Sequence, residues 1–255
     1  MPEHAQRILS RTPLVQLRDE TFELAILPWG ATEAHNLHLP CGTDIIETEA
    51  IAEASAGVAA QAGARVIVLP TVPFGVNTGQ MGIPGTINMH PSTQLAVLED
   101  VLESLEHLTI PKLAILNGHG GNDFKPLIRE VSLSHRTFVC QVDWWRALDM
   151  RGIFEEPGDH AGEMETSLML YLTPDLVRPL EEAGSGAERR LKLRAFREGW
   201  AWTPRDWRKA TDDTGTGNPR RATAEKGERL FKEVTGVIGS FLAELAATSP
   251  DALYI

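Results

Sequence analysis

The sequence predicts an α/β protein of three layers, with helices on both faces of a mostly parallel central sheet. Two observations carry that prediction. Short apolar runs of strand type alternate with helix-length segments from Phe22 to Leu172, the pattern of parallel strands joined by crossover helices. Glycine turns bearing histidines and carboxylates follow several of those runs, and open α/β sheets place their sites beyond the carboxyl ends of the strands.

The elements follow in order. Strand runs are predicted at Phe22–Leu27, Arg65–Leu69, Leu113–Leu116 and Thr137–Val142, each a few residues of β-branched or aliphatic type. Helices are predicted near 45–62, 92–107, 124–134 and 163–172, the second led in by His90 and Pro91. Residues 183–222 break the pattern with glycines, Trp200, Trp202, Trp207 and a turn-rich run, so they read as a long irregular excursion that is functional or interfacial. A final helix from about Thr223 to Leu245 closes a single domain spanning 1–255.

Composition narrows the function. With 255 residues, 42% of them hydrophobic, the chain can bury a large core. No stretch approaches the roughly 20 apolar residues of a membrane span, and Met1–Arg7 lacks the apolar centre of a signal peptide, so a cytoplasmic setting is expected. Cys41 and Cys140 make no disulfide framework. A net charge of −11 argues against nucleic acid, which is bound through clustered Lys and Arg. The basic stretch Arg189–Arg197 reads as a helix face or subunit contact, and His4, His107 and His135 as surface residues.

The chemistry is concentrated in three segments. Gly30-Ala-Thr-Glu-Ala-His, with Asp44 beyond it, sets Glu33 and His35 two apart, so that in extended chain they lean to the same side about 7 Å apart. Asn117-Gly-His-Gly-Gly-Asn carries His119 at the tip of a glycine turn. Gly158-Asp-His-Ala-Gly-Glu-Met-Glu-Thr-Ser places Asp159, His160, Glu163 and Glu165 at the start of an apolar helix. Imidazole and carboxylate donors on several strand ends are what hard or borderline divalent metals require, and a carboxylate can bridge two of them.

In order and spacing these motifs resemble the creatininase (creatinine amidohydrolase) family of metal-dependent amide hydrolases, from about residue 20 to 240. The resemblance implies that Glu33, Asp44 and His119 serve one metal and that His35 and Asp44 serve a second. It implies two divalent ions per subunit, Zn²⁺ first and Mn²⁺ or Fe²⁺ next, and a homo-oligomer, a hexamer in the first instance. In creatininase proper the second metal takes a glutamate where this chain has Gly121; relatives of the His-Gly-Gly-Asn form carry one where this chain has Glu163. Glu163 is therefore the expected fifth ligand, which with Glu33, Asp44, two divalent ions and a hydroxide gives a neutral cluster.

His160 matches the family's proton-transfer histidine, and Glu165 is grouped with it in the catalytic set. Glu165 and Asp159 are alternatively partners that fix the ring of His160 or of a ligand, or simple helix caps. His38 is open between a supporting role and the pocket. Trp144 and Trp145 are open between core packing and covering the substrate. Most relatives carry a histidine two places before Pro84, where this chain has Gly82, so creatinine itself is disfavoured. The expected reaction is hydrolysis of a C–N bond in a small amide, cyclic amide or formamide. A short peptide, a sugar-like cyclic carbonyl compound, a silent metal-binding role and a single-metal lyase or isomerase stay open.

Overall fold

The computed structural model describes residues 7–156 and 158–255; His4 lies outside them. Five strands form one sheet: β1 (Arg7–Ile8), β2 (Leu24–Trp29), β3 (Val66–Val68), β4 (Lys112–Asn117) and β5 (Phe138–Asp143), in the order β1-β3-β2-β4-β5. Every pairing is parallel. β1 has no sequence forecast, because two residues are too few to show a period.

The crossovers run through α1 (Thr43–Gln61), α2 (Pro91–His107) and α3 (Lys125–Val131), followed by α4 (Glu163–Leu172), the short α5 (Arg194–Arg197) and α6 (Trp207–Ala210), and α7 (Ala224–Ala247). Alternation along β2 sorts the layers. Leu24 and Ile26 enter a core with Ile51 and Ala56 of α1, Leu168 of α4, and Leu230, Val234, Ile238 and Leu242 of α7. Ala25, Leu27 and Trp29 enter the opposite core, with Leu98 and Leu102 of α2 and Leu127 and Val131 of α3. The α7 set recurs every fourth residue, which keeps it on one face of the helix.

Parallel pairing puts every strand's carboxyl end on one side. Trp29, Asn117 and Asp143 lie side by side in register there, and the chain leaves them toward Glu33, His119 and Trp144. Trp144 itself is buried in the core with α1 and α7 rather than facing a pocket. Of the basic stretch, only Arg194–Arg197 is helical. The 183–222 excursion folds back over the strand ends: Thr216 exchanges backbone hydrogen bonds with His160, and Gly184 N–H donates to Asn36.

Candidate metal centre

Three histidines share one design. His35 Nδ1 faces the Glu33 carbonyl at 3.2 Å, His119 Nε2 the Val76 carbonyl at 3.1 Å, and His160 Nε2 the Ala34 carbonyl at 2.8 Å. A carbonyl only accepts, so each of those nitrogens carries the proton. The other nitrogen of each ring is turned toward carboxylates: His35 Nε2 is 2.9 Å from Asp44 Oδ1, and His119 Nδ1 is 3.0 Å from Asp44 Oδ2 and 3.1 Å from Glu33 Oε1. Backbone-anchored imidazoles of this kind are characteristic of metal ligands.

Local sequence explains the placement of His119. Asn117 Oδ1 accepts from the His119 N–H and from Asn122 Nδ2, while Asn122 Oδ1 accepts from Val76 N–H, so the two asparagines fix both the turn and the extended segment that receives the His119 ring. Gly121 is required. A Cβ there would lie 2.3 Å from the Val76 carbonyl and 2.4 Å from His119 Nε2, inside the bond that orients the ring.

Donor atoms converge in three overlapping trios, each within 4.8 Å: Glu33, Asp44 and His119; His35, Asp44 and Glu165; Glu33, His35 and His160. All six residues are buried. Asp44 Oδ2 lies 3.0 Å from His119 Nδ1, so its two oxygens face two different imidazoles.

Glu163 is not gathered with them. Its Oε2 accepts from the N–H groups of Glu155 and Glu156 at 2.8 and 2.7 Å, and its Oε1 pairs with Lys226 of α7. A carboxylate saturated by two amides and an ammonium has little left for a metal, and Glu165, two residues on, takes the place expected for it. Glu163, the expected fifth ligand, is thus engaged elsewhere, whereas Glu165, expected in the catalytic set, lies among the gathered donors with His35 and Asp44. Glu165 Oε2 accepts from the Ala161 N–H.

The protonation states follow from burial and neighbours. Burial opposes charge on His35, but Asp44 beside it lifts the ring to about 10. His119 is raised against burial in the same way by Glu33 and Asp44. Burial and the charge on His35 push His160 down to about 4, so it is neutral. Burial lifts Glu165 to about 7.

Around the cluster the structure supplies residues that sequence reasoning missed. Gln80 donates to Glu33 Oε2, and the Trp207 ring packs on His160 with centroids 4.6 Å apart. Both contacts are long-range, although Trp207 belongs to the excursion singled out for its composition. Glu47, one turn along α1 from Asp44, is buried with neither carboxylate oxygen hydrogen-bonded; burial and the nearby Glu165 and Asp44 raise its pKa well above the usual range. Helical spacing alone would have put it on the Asp44 side. His38 donates to or accepts from Thr166 of α4 at 2.9 Å, a supporting contact. Asp159 binds Arg205 at 2.8 Å and so ties the excursion to the His160 loop.

The family model described as creatinine amidohydrolase matches residues 9–242. The chain belongs to the creatininase family. It is 30% identical over 217 residues to the mycofactocin precursor peptide peptidase of Mycolicibacterium smegmatis, covering 83% of this chain and 81% of that one. A solved Bacteroides fragilis chain, provisionally named a creatinine amidohydrolase, superposes with a TM-score of 0.90 at 41% identity over the full length of both. A manganese form of creatininase shares the fold, with a TM-score of 0.78 at 20% identity over 96% of this chain and all of that one. The creatininase-family member described here is a hydrolase by that membership, with a three-layer fold and clustered donors suited to metal.

Proposed function

We propose that this creatininase-family chain is a dinuclear metal-dependent amidohydrolase that cleaves a C–N bond in a small amide, cyclic amide or formamide. The observation that carries the proposal is Asp44, whose two oxygens face two different donor sets. Glu33, Asp44 and His119 would hold one divalent ion, and His35, Asp44 and Glu165 the other. Three carboxylates against two divalent charges leave one positive charge, which a hydroxide-sized anion neutralises. Ions held there would activate a water and polarise the carbonyl under attack.

The chain's own residues do the rest. His160, neutral and with Nδ1 3.6 Å from Glu33 Oε1, takes up a proton and returns it to the leaving nitrogen, which departs poorly as an anion. Trp207 covers that ring and limits water on its outer side. Gln80 holds Glu33 in place through one oxygen and leaves the other for the ion. Zn²⁺ suits this mixed nitrogen and oxygen set, with Mn²⁺ or Fe²⁺ as alternatives. A short peptide is the second substrate reading, favoured by the name of the M. smegmatis relative.

The same proposal treats residues 1–255 as one working domain in a cytoplasmic homo-oligomer, a hexamer in the first instance. Exposed Trp200 and Trp202 are the candidate contact. No described helix is long and apolar enough to cross a membrane. The test is metal analysis of the purified chain, followed by a screen of cyclic amides, formamides and dipeptides under Zn²⁺, Mn²⁺ and Fe²⁺. Two ions per chain and turnover of an amide or formamide are expected. One ion per chain, or turnover of dipeptides alone, overturns the reading.

A further inference from the structure

β4 ends at Asn117 and β5 at Asp143, and the two residues lie in register. Their side chains meet there, with Asn117 Nδ2 donating to Asp143 Oδ1 at 2.9 Å. Gln141 of β5 donates to the same oxygen through Nε2, while its own Oε1 accepts from the Phe124 N–H at 3.2 Å. One carboxylate oxygen thus receives amides from two neighbouring strands.

From Asn117 the row of amides runs inward. Its Oδ1 accepts from the His119 N–H at 3.2 Å and from Asn122 Nδ2 at 3.1 Å. Asn122 Oδ1 in turn accepts from the Val76 N–H at 3.1 Å and from Gln94 Nε2 of α2 at 2.8 Å. Val76 also presents the carbonyl that faces His119 Nε2 at 3.1 Å. The backbone of His119 and the acceptor for its ring therefore hang on the same two asparagines, and Asp143 anchors the outer end.

Burial makes that anchor matter. Asn117 is fully buried, so no water can take the place of a lost partner. An amide presents oxygen or NH₂ in nearly the same space, and its partners decide which way it turns. A carboxylate only accepts, so Asp143 holds the NH₂ of Asn117 toward itself and leaves the oxygen for the turn. Without it the buried NH₂ would stand unpaired, which costs more than an ordinary hydrogen bond contributes. Turning the amide to relieve this would set NH₂ against the His119 N–H and the Asn122 NH₂, donor against donor.

We propose that Asp143 is a positioning residue for the metal centre: through Asn117 and Asn122 it holds the His119 ring in the attitude from which Nδ1 faces Glu33 and Asp44. The inference rests on the amidohydrolase reading in taking His119 as a ligand. His35 supplies an internal control, because its ring is held by the Glu33 carbonyl and Asp44 and not by these amides.

The test uses the metal-free chain with ¹⁵N-labelled histidine, in which NMR follows exchange with water of the His119 Nε2 proton and the His35 Nδ1 proton. Asp143→Leu keeps a branched side chain and offers no acceptor. It should speed exchange at His119 at least roughly tenfold and leave His35 within about twofold of the parent. Asp143→Asn keeps an acceptor of the same shape and should stay near the parent at both rings. Zinc titration should show one of two binding steps weakened at least roughly tenfold in Asp143→Leu, the scale for a partner that orients a ligand, with the other step unchanged. If Asp143→Leu does not fold, Asp143→Ala takes its place in both measurements.

Unchanged exchange at His119 in the variant without an acceptor overturns the proposal. So does equal acceleration at both histidines, which is a general loosening of the fold rather than positioning. Equal acceleration in Asp143→Leu and Asp143→Asn overturns it as well, since the acceptor is then not what holds the ring. The exchange measurement needs neither ions nor turnover. A parent chain without two zinc steps is a failure of the amidohydrolase reading, whereas two steps that both survive Asp143→Leu unweakened are a failure of this proposal alone.

Discussion

Asp44 Oδ1 lies 2.9 Å from His35 Nε2, and the other nitrogen of that ring faces the Glu33 carbonyl. The imidazole is thus fixed between a backbone acceptor and a carboxylate whose second oxygen serves His119. In the metal-free chain this is a buried ion pair; under the proposal, the same atoms would become ligands once metal binds. Asp44→Ala should therefore lower both ions together and abolish turnover, because it removes the residue common to both trios. Metal analysis on the folded variant checks this. Retention of one full ion per chain would show that Asp44 does not bridge.

Metal must also displace protons. In the metal-free chain His35 titrates near 10 instead of 6.5, and His119 is raised as well. A raised histidine contributes stability that is complete below 6.5 and is lost as pH climbs through the folded value. Metal binding needs the neutral ring, so it should release protons and strengthen as pH rises from about 6 to 9. Calorimetry in buffers of different ionisation enthalpy reads the protons released, and an uptake independent of pH would contradict the assignment.

Glu163 and Glu165 stand two residues apart on the first turn of α4 and should behave in opposite ways. Glu165→Gln should lose the ion at the His35 side. Glu163→Gln should keep both ions and destabilise the fold by about 1–3 kcal/mol, the cost of removing the buried charge that pairs with Lys226 and leaving that half-buried ammonium with Glu155 as its carboxylate partner. Chemical denaturation alongside metal counting separates the two outcomes.

That pair marks how far the sequence could be read. That Glu33, His35, Asp44 and His119 converge was legible because residue type, glycine turns and strand ends all pointed to the same place, and the alternating runs gave the layers. That Glu165 rather than Glu163 lies among them was not, since Glu163 is held by Lys226, 63 residues away on α7. Nor could pattern show that Trp207 caps His160. Each is a contact between distant segments with no local periodicity to announce it.

Glu47 gives a prediction about pH in the metal-free chain. Its folded pKa lies well above 4.5, so the unfolded chain gives up this proton before the folded one does. The contribution to stability is complete below 4.5 and is lost as pH rises toward the folded value. Glu47→Met removes the group at similar volume. The variant should be more stable than the parent at pH 8, with the gap closing toward pH 5, as read by denaturation at each pH. A gap that widens on acidification would mean that Glu47 is ionised in the fold.

His160 tests the catalytic assignment itself. Its ring is neutral, hydrogen-bonded to Ala34, stacked by Trp207, and 3.6 Å from Glu33 through Nδ1. It also belongs to a donor trio with Glu33 and His35, so a ligand role is the competing reading. As a proton carrier, His160→Ala should leave both ions bound while kcat falls by roughly 10²–10⁴. The loss should shrink for substrates whose nitrogen leaves readily, because protonation then matters less. Loss of one ion in step with activity would instead make His160 a ligand, and unchanged turnover would remove it from the chemistry.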